Sequence, residues 1–177
     1  MYACRVSTDE ELTFADHAGR FYARRYGFPP VAGRLLGYLA VCDPGEQSIS
    51  ELAEALLASR TAIANAVNHL ENRGLIQRSR AAGERMDRVR IDLTSPRALG
   101  FDLTEYQEHN EMAQEGLRLL ADSPLRRQAI LLEWAALSDF LIERMPKWEQ
   151  EWRAYRDKLI ADGTLPDPTP RREDGKP

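Results

Sequence analysis

Between Ile49 and Leu93 two short stretches with helical apolar spacing stand only Ala58-Ser59 apart, and a run alternating apolar with charged residues follows them. Few folds accommodate that order. Ser50 is expected to cap the first helix, with Leu52, Ala53, Leu56 and Leu57 facing inward. Ser59 is expected to cap the second, whose Ile63, Val67 and Leu70 fall at the i, i+4 and i+7 positions of a buried stripe, and Asn72-Arg73-Gly74 supplies a glycine stop. The period then changes from helical to alternating. Leu75 to Arg78 and Val89 to Leu93 read as strands around an Ala81-Ala82-Gly83-Glu84 turn, a two-stranded hairpin.

Helix, tight turn, helix and hairpin in that order make a winged helix-turn-helix, whose second helix is of a size to enter the major groove of DNA. With its inner face occupied, that helix turns Arg60, Thr61, Ala64, Asn65 and Asn68 outward. Arginine can bond guanine bidentately, asparagine can do the same to adenine, and Thr61 or Ala64 can touch a thymine methyl. Ser59 can both cap the helix and donate to a phosphate. In the hairpin, Arg80, Arg85 and Arg88 flank or occupy the turn, where an arginine can reach the narrow minor groove. Glu84 and Asp87 are expected to orient Arg85 and Arg88.

Charge is distributed to match. The chain of 177 residues has a formal net charge of −4, which taken whole speaks against a polyanionic partner. By segment the nets are −3 over 1–58, +4 over 59–90 and −5 over 91–177, and all seven cations of the middle segment are arginines: Arg60, Arg73, Arg78, Arg80, Arg85, Arg88 and Arg90. A basic stretch between acidic flanks is an electrostatic footprint for a polyanion, with flanks that restrain indiscriminate phosphate binding.

The flanks read as helical. Thr8 and Glu11 form a capping box for a helix to Tyr26 with Leu12, Ala15, Ala18 and Tyr22 on one stripe, and Gly27 with Pro29-Pro30 ends it. A second helix spans about 31–42 and stops at Asp43-Pro44-Gly45. After the hairpin, helix is expected from Pro96 to about Ala121 and again from Pro124 to about Ile160. In the last of these, Ile130, Trp134, Leu137, Leu141, Met145, Trp148, Trp152, Tyr155 and Leu159 recur at near-heptad spacing, interrupted or kinked around Pro146. Such a seam is most simply a dimer interface shared with Leu12 and Tyr22 of the first helix, and a two-fold protein suits two half-sites one helical turn apart. Its aromatics could instead line an effector pocket for a quaternary amine.

The resulting organisation is mainly α with a small β-hairpin: an N-terminal dimer or linker helix in 1–30, a DNA-binding winged helix in 31–95, a C-terminal helical dimerisation region in 96–161 and a proline-rich disordered tail in 162–177. The 43% apolar content is ample for a core. No apolar run is long enough to span a membrane, the charged N-terminus does not fit a secretory signal, and Cys4 and Cys42 are too few for a disulfide framework. A soluble, cytoplasmic protein is expected.

Phe28 to Leu39, Ile49-Ser50-Glu51-Leu52-Ala53, Ser59 to Ile63, Leu70-Glu71-Asn72-Arg73-Gly74-Leu75-Ile76 and Gly83-Glu84-Arg85-Met86-Asp87, in that order, resemble the MarR superfamily of bacterial transcription regulators, particularly its GbsR-like branch. The resemblance covers about 8–160. It implies a homodimer, each subunit placing one winged helix on half of a pseudo-palindromic operator, usually as a repressor released by a small ligand. It also implies a minor-groove role for Arg85 at the wing tip. The C-terminal helices vary within the family, so the resemblance carries over no effector.

Other chemistry has little behind it. The chain has no glycine-rich phosphate loop, no Gly-x-Ser-x-Gly elbow and no His-Glu-x-x-His. Glu105 and His109 stand at i, i+4 on a helix, a spacing seen in metal pairs and, more often, among surface polar residues. Cys4 resembles the near-N-terminal thiol of peroxide-sensing relatives but lacks a resolving partner. No cofactor, metal or catalytic set is expected. The partners are double-stranded DNA, a second copy of the chain and an effector of unknown identity. The alternative is a winged helix that serves as a protein-interaction module, an antirepressor or scaffold, without DNA binding.

Overall fold

Thr8 opens the first helix: its hydroxyl accepts from the Glu11 amide at 3.2 Å while the Glu11 carboxylate accepts from the Thr8 amide at 2.8 Å. The computed structural model describes residues 8–80 and 87–166, and the chain divides into two units, residues 1–100 and 101–177. The expected disordered tail lies outside the described residues from 167 onward.

In the first unit α1 (Asp9–Tyr26) ends at Gly27, whose φ of 67° satisfies the left-handed cap. Its neighbour α2 (Pro30–Leu39) starts on a proline at the first helical position. The two helices meet through small residues. A Cβ built on Gly33 would lie 2.9 Å from Gly19 Cα, and one on Gly37 would meet the Ala18 Cβ. The backbones thus come closer than larger side chains would allow. Arg34 then reaches from α2 to Asp16 of α1 at 2.5 Å and donates to the Leu56 carbonyl at 3.2 Å, binding three elements with one guanidinium.

Next come β1 (Gln47–Ser48), α3 (Ile49–Ala55), α4 (Arg60–Asn72), β2 (Ile76–Ser79) and β3 (Arg88–Ile91). The cap of α3 is Ser48, not Ser50. Only Ser48 has a glutamate three residues on, and Glu51 closes the capping box by accepting from the Ser48 amide at 2.6 Å. The expected hairpin gains a third strand, because β1 pairs antiparallel with β3 (Gln47 opposite Val89) and gives the order β1-β3-β2. A strand of two residues has too little pattern to be seen by alternation. The core gathers Leu35, Leu39, Leu52, Leu56, Ile63, Val67, Leu70, Ile76 and Val89, all buried. Leu57, expected inside, is 90% exposed.

The second unit is a helical hairpin of α5 (Thr104–Leu119) and α6 (Leu125–Ala161). Helix begins at Thr104 rather than Pro96: one turn forms at Ser95–Gly100, with Leu99 donating to the Ser95 carbonyl at 3.2 Å, and Gly100 at φ 80° breaks it. At the other end, Gln128 closes the bend by donating to the Leu120 and Ser123 carbonyls at 3.1 and 2.9 Å. Gly116 admits Leu131, Ala113 and Ala135 are buried between the helices, and of the interruption or kink expected at Pro146 the interruption does not occur, since α6 is one helix through it.

Gly33→Val should cost about 1–3 kcal/mol, because the added carbons meet backbone rather than a yielding side chain. Urea unfolding followed by circular dichroism would measure it, and an unchanged midpoint would show that α1 and α2 can separate freely.

Candidate nucleic-acid interface

The elements around α4 hold it by its inner face. Ile63, Ala66, Val67 and Leu70 are buried, and each large side chain among them contributes about 1.5–3 kcal/mol of burial. His69 stands edge-on to Phe28 at 5.1 Å, Arg73 lies over the same ring at 4.9 Å, and Tyr22 of α1 stacks on it at 5.4 Å. Phe28 is therefore a clamp between α1 and the C-terminal half of α4. Arg97 donates to the Asn72 carbonyl at 2.9 Å, satisfying an orphan acceptor at the helix end with a cation.

At the opposite end Ser59 caps the helix, its hydroxyl accepting from the Ala62 amide at 3.1 Å. Ser59, Arg60, Thr61, Asn65 and Asn68 are exposed and Ala64 is half-buried, so the sequence-derived outer face is assembled on one side. Its members are not equivalent. The Asn68 carbonyl oxygen accepts from Arg78 on β2, and Arg78 also pairs with Glu71 at 2.9 Å. Asn68 is thus partly engaged from within, whereas Asn65 and Arg60 have no hydrogen-bond or ion-pair partner among the described residues.

The turn before α4 has an unusual occupant. Leu57 donates to the Glu54 carbonyl at 3.2 Å and Ala58 to Ala53 at 3.0 Å, the paired bonds of a helix stop that needs a left-handed residue between them. Glycine normally fills that place, yet here it is Leu57 at φ 51°, at a cost of about 1–2 kcal/mol. No glycine marks the stop, so pattern reading takes Leu57 for a core residue.

In the wing, Arg78 stands opposite Val89 and Ser79 opposite Arg88. The expected Asp87–Arg88 partnership is replaced by two others. Asp87 pairs with Arg80 at 2.6 Å, and that hydrogen bond holds its carboxyl below the ordinary value while raising the Arg80 guanidinium. Arg88 turns back toward α3, 3.3 Å from the Glu51 carboxylate and 3.2 Å from the Glu46 carbonyl. Arg90 lies 3.6 Å from Glu46. Arg85, with the Glu84 expected to orient it, lies outside the described residues. Much of the positive charge that the sequence concentrates in 59–90 is thus matched locally, and among the described residues Arg60 is a cation displayed beside the helix N-terminus without an ion-pair partner.

The joints made by Glu51, Arg34 and Arg78 have no place among the sequence-derived site residues, where Arg78 counts only toward the charge of the basic stretch. Glu51 could have been singled out from its spacing to Ser48; the other two depend on contacts across the fold. The expected dimer residues divide as well. Leu12 and Tyr22 pack partly buried on the unit's own core, while Phe14 and Phe21 of α1 are exposed. On α6, Ile130, Trp134, Leu137, Trp148 and Tyr155 are exposed, Leu141 and Trp152 are half-buried and Met145 is buried. His109 sits 3.3 Å from the Ser138 hydroxyl with its ring 5.0 Å from Trp134, a packed position. Burial pushes the Cys42 thiol up to about 11, so it carries little thiolate at neutral pH; Cys4 lies outside the described residues.

This geometry agrees with the similarities found. Residues 26–85 match the MarR family model, and residues 96–155 match that of MmpR5-like MarR family transcriptional regulators. The HTH-type transcriptional regulator MmpR5 of Mycobacterium tuberculosis (strain ATCC 25618 / H37Rv) is 35% identical over 134 residues, which cover 73% of this chain and 79% of that protein. The chain belongs to the MarR family. A crystal structure described as that of a transcriptional regulator superposes with a TM-score of 0.69 at 32% identity, covering 80% of this chain and 99% of its own. For this MarR family member, then, the winged helix-turn-helix is an architecture shared with regulators of transcription.

Arg88 and Arg60 should separate in a stability measurement. Arg88→Met removes charge-assisted bonds at a partly buried joint and should cost about 1–3 kcal/mol, whereas Arg60→Met should stay within about 0.5 kcal/mol. Parallel urea titrations check both, and equal losses would contradict the different surroundings of the two arginines.

Proposed function

We propose that this MarR family protein is a sequence-specific DNA-binding regulator that acts as a homodimer, each subunit laying α4 into the major groove and its wing along the minor groove of half of a pseudo-palindromic operator. The observation that carries the reading is the exposed face of the N-terminal half of α4. There Arg60, Thr61 and Asn65 stand on a helix whose opposite face is buried and whose N-cap is intact. Helix N-termini of this kind meet base edges, and these side chains have the donors and acceptors to read them. Asn68 contributes through the amide group that Arg78 leaves available, Arg85 takes the minor-groove role that the family resemblance implies, and Arg80, exposed although paired with Asp87, brings a cation toward phosphate. Arg88 acts mainly by joining the wing to α3.

Homodimerisation is supported by exposed apolar side chains that water does not favour: Phe14 and Phe21 on α1, and Ile130, Leu137, Trp148 and Tyr155 on α6. The regulator is read as a repressor released by a small ligand. The groove lined by Tyr106, His109, Met112, Leu137 and Ser138, with Glu105 and Glu108 beside them, offers a volume of about 390 Å³ for it. A regulator of transcription works in the compartment that holds the DNA, and no described helix is long and apolar enough to cross a membrane. Within the family, the motif order of the winged helix supports a GbsR-like placement, and the match over 96–155 supports kinship with MmpR5-like regulators.

On a fragment carrying the promoter beside its own gene, Arg60→Ala and Arg85→Ala should each weaken binding by about 1–3 kcal/mol and together nearly abolish a mobility shift. Unchanged binding by the double variant would remove both assignments. If the wild-type protein itself showed no affinity at low salt, the protein-interaction module would be the better reading. Leu137→Glu with Trp148→Glu should convert the dimer to monomers in sedimentation velocity and reduce operator affinity; a dimer that survives both charges would place the interface elsewhere.

A further inference from the structure

Leu57 is unusual in two independent respects. Its backbone is held at φ 51° by the hydrogen bonds of Leu57 and Ala58 to Glu54 and Ala53, a conformation that glycine or asparagine adopts at lower cost. Its side chain is 90% exposed, so no burial within the chain offsets that cost. An apolar side chain kept where folding does not reward it points to a reward from something bound. Position says what: Leu57 lies two residues before the N-cap Ser59, in the turn that leads directly into the exposed Ser59, Arg60 and Thr61. A recognition helix enters the groove by its N-terminal end. The turn preceding it then lies against the strand over which the helix enters. What that strand offers an isobutyl group there is the carbon skeleton of its deoxyribose rings, between phosphates that Leu57 cannot bond.

We propose that Leu57 is a DNA-contacting residue, packing against deoxyribose at the edge of the major groove and continuing the interface of α4 with an apolar contact. The inference rests on the proposed DNA-binding function. It gives the wrong-handed leucine a purpose that pattern reading, which sends it to the core, does not.

Four variants, Leu57→Met, Leu57→Ala, Leu57→Asn and Leu57→Gly, separate contact from backbone strain because the two order them oppositely. If strain alone mattered, glycine and asparagine would bind DNA at least as well as leucine. If the side chain contacts sugar, methionine should stay within about twofold of wild type, while alanine, asparagine and glycine lose roughly fivefold or more, on the promoter fragment and on random duplex alike. Glycine and asparagine should at the same time melt at or above the wild-type temperature. The slope of affinity against salt should not change, since no phosphate is neutralised. Wild-type affinity in the asparagine and glycine variants would overturn the proposal and leave the DNA-binding reading intact. A shift of the monomer–dimer equilibrium without loss of DNA affinity would also overturn it, by assigning Leu57 to a protein contact. Absence of DNA binding by the wild-type protein would remove both.

Discussion

The burial of one face of α4 is the constraint on which the rest of the first unit depends. Ile63, Ala66, Val67 and Leu70 turn inward together because helical spacing puts them on one side, and the core made by α2, α3 and the sheet accepts them. Once that face is fixed, the opposite one has no freedom: Arg60, Thr61 and Asn65 must face outward. The surrounding contacts fix the direction of the helix at both ends. Phe28 is gripped by Tyr22, His69 and Arg73 toward the C-terminus, and the Leu57–Ser59 turn sets the N-terminus. An exposed helix face held in this way has little conformational entropy left to lose on contact with another molecule.

Electrostatics in the winged helix follow a division of labour that net charge alone does not show. Arg34, Arg78, Arg88 and Arg90 each find a carboxylate within the unit and serve as joints between elements. Glu51 belongs to two such devices, since it closes the α3 capping box and receives Arg88 from the wing strand. The orientation of the wing is thereby tied to the start of the first helix of the helix-turn-helix. Fewer cations are left to attract phosphate indiscriminately, which favours readout by shape and hydrogen bonding over charge alone.

In the second unit α6 is more than twice the length of α5, 37 residues against 16, so a single α5 cannot cover it. Ala113, Ala135 and Ser138 fill the seam between the two helices, and the larger side chains at Ile130, Leu137, Trp148 and Tyr155 are left in water. Met145 and Leu131 also turn toward the seam, so the helix buries small and large side chains on one side and leaves a second set of large ones exposed. In the first unit Phe14 and Phe21 of α1 are likewise exposed.

The helices were legible in the sequence wherever the signal is local. Thr8 with Glu11, the glycine after Tyr26, and Ile63-Val67-Leu70 are chemistry within one or two turns, and they placed α1 and α4 nearly to the residue. The side chains offered by α4 were legible for the same reason, since helical periodicity decides which residues share a face. Tertiary structure decided what is non-local or too brief to repeat. The strand of two residues at Gln47–Ser48 exists only because β3 is beside it, and the stop at Leu57 only because Ala53 and Glu54 present carbonyls to it. Above all, sequence determined how many arginines the winged helix has, but folding determined which remain available. Arg88 finds Glu51 across 37 residues, a pairing that no local spacing encodes and that one packed strand and helix suffice to impose.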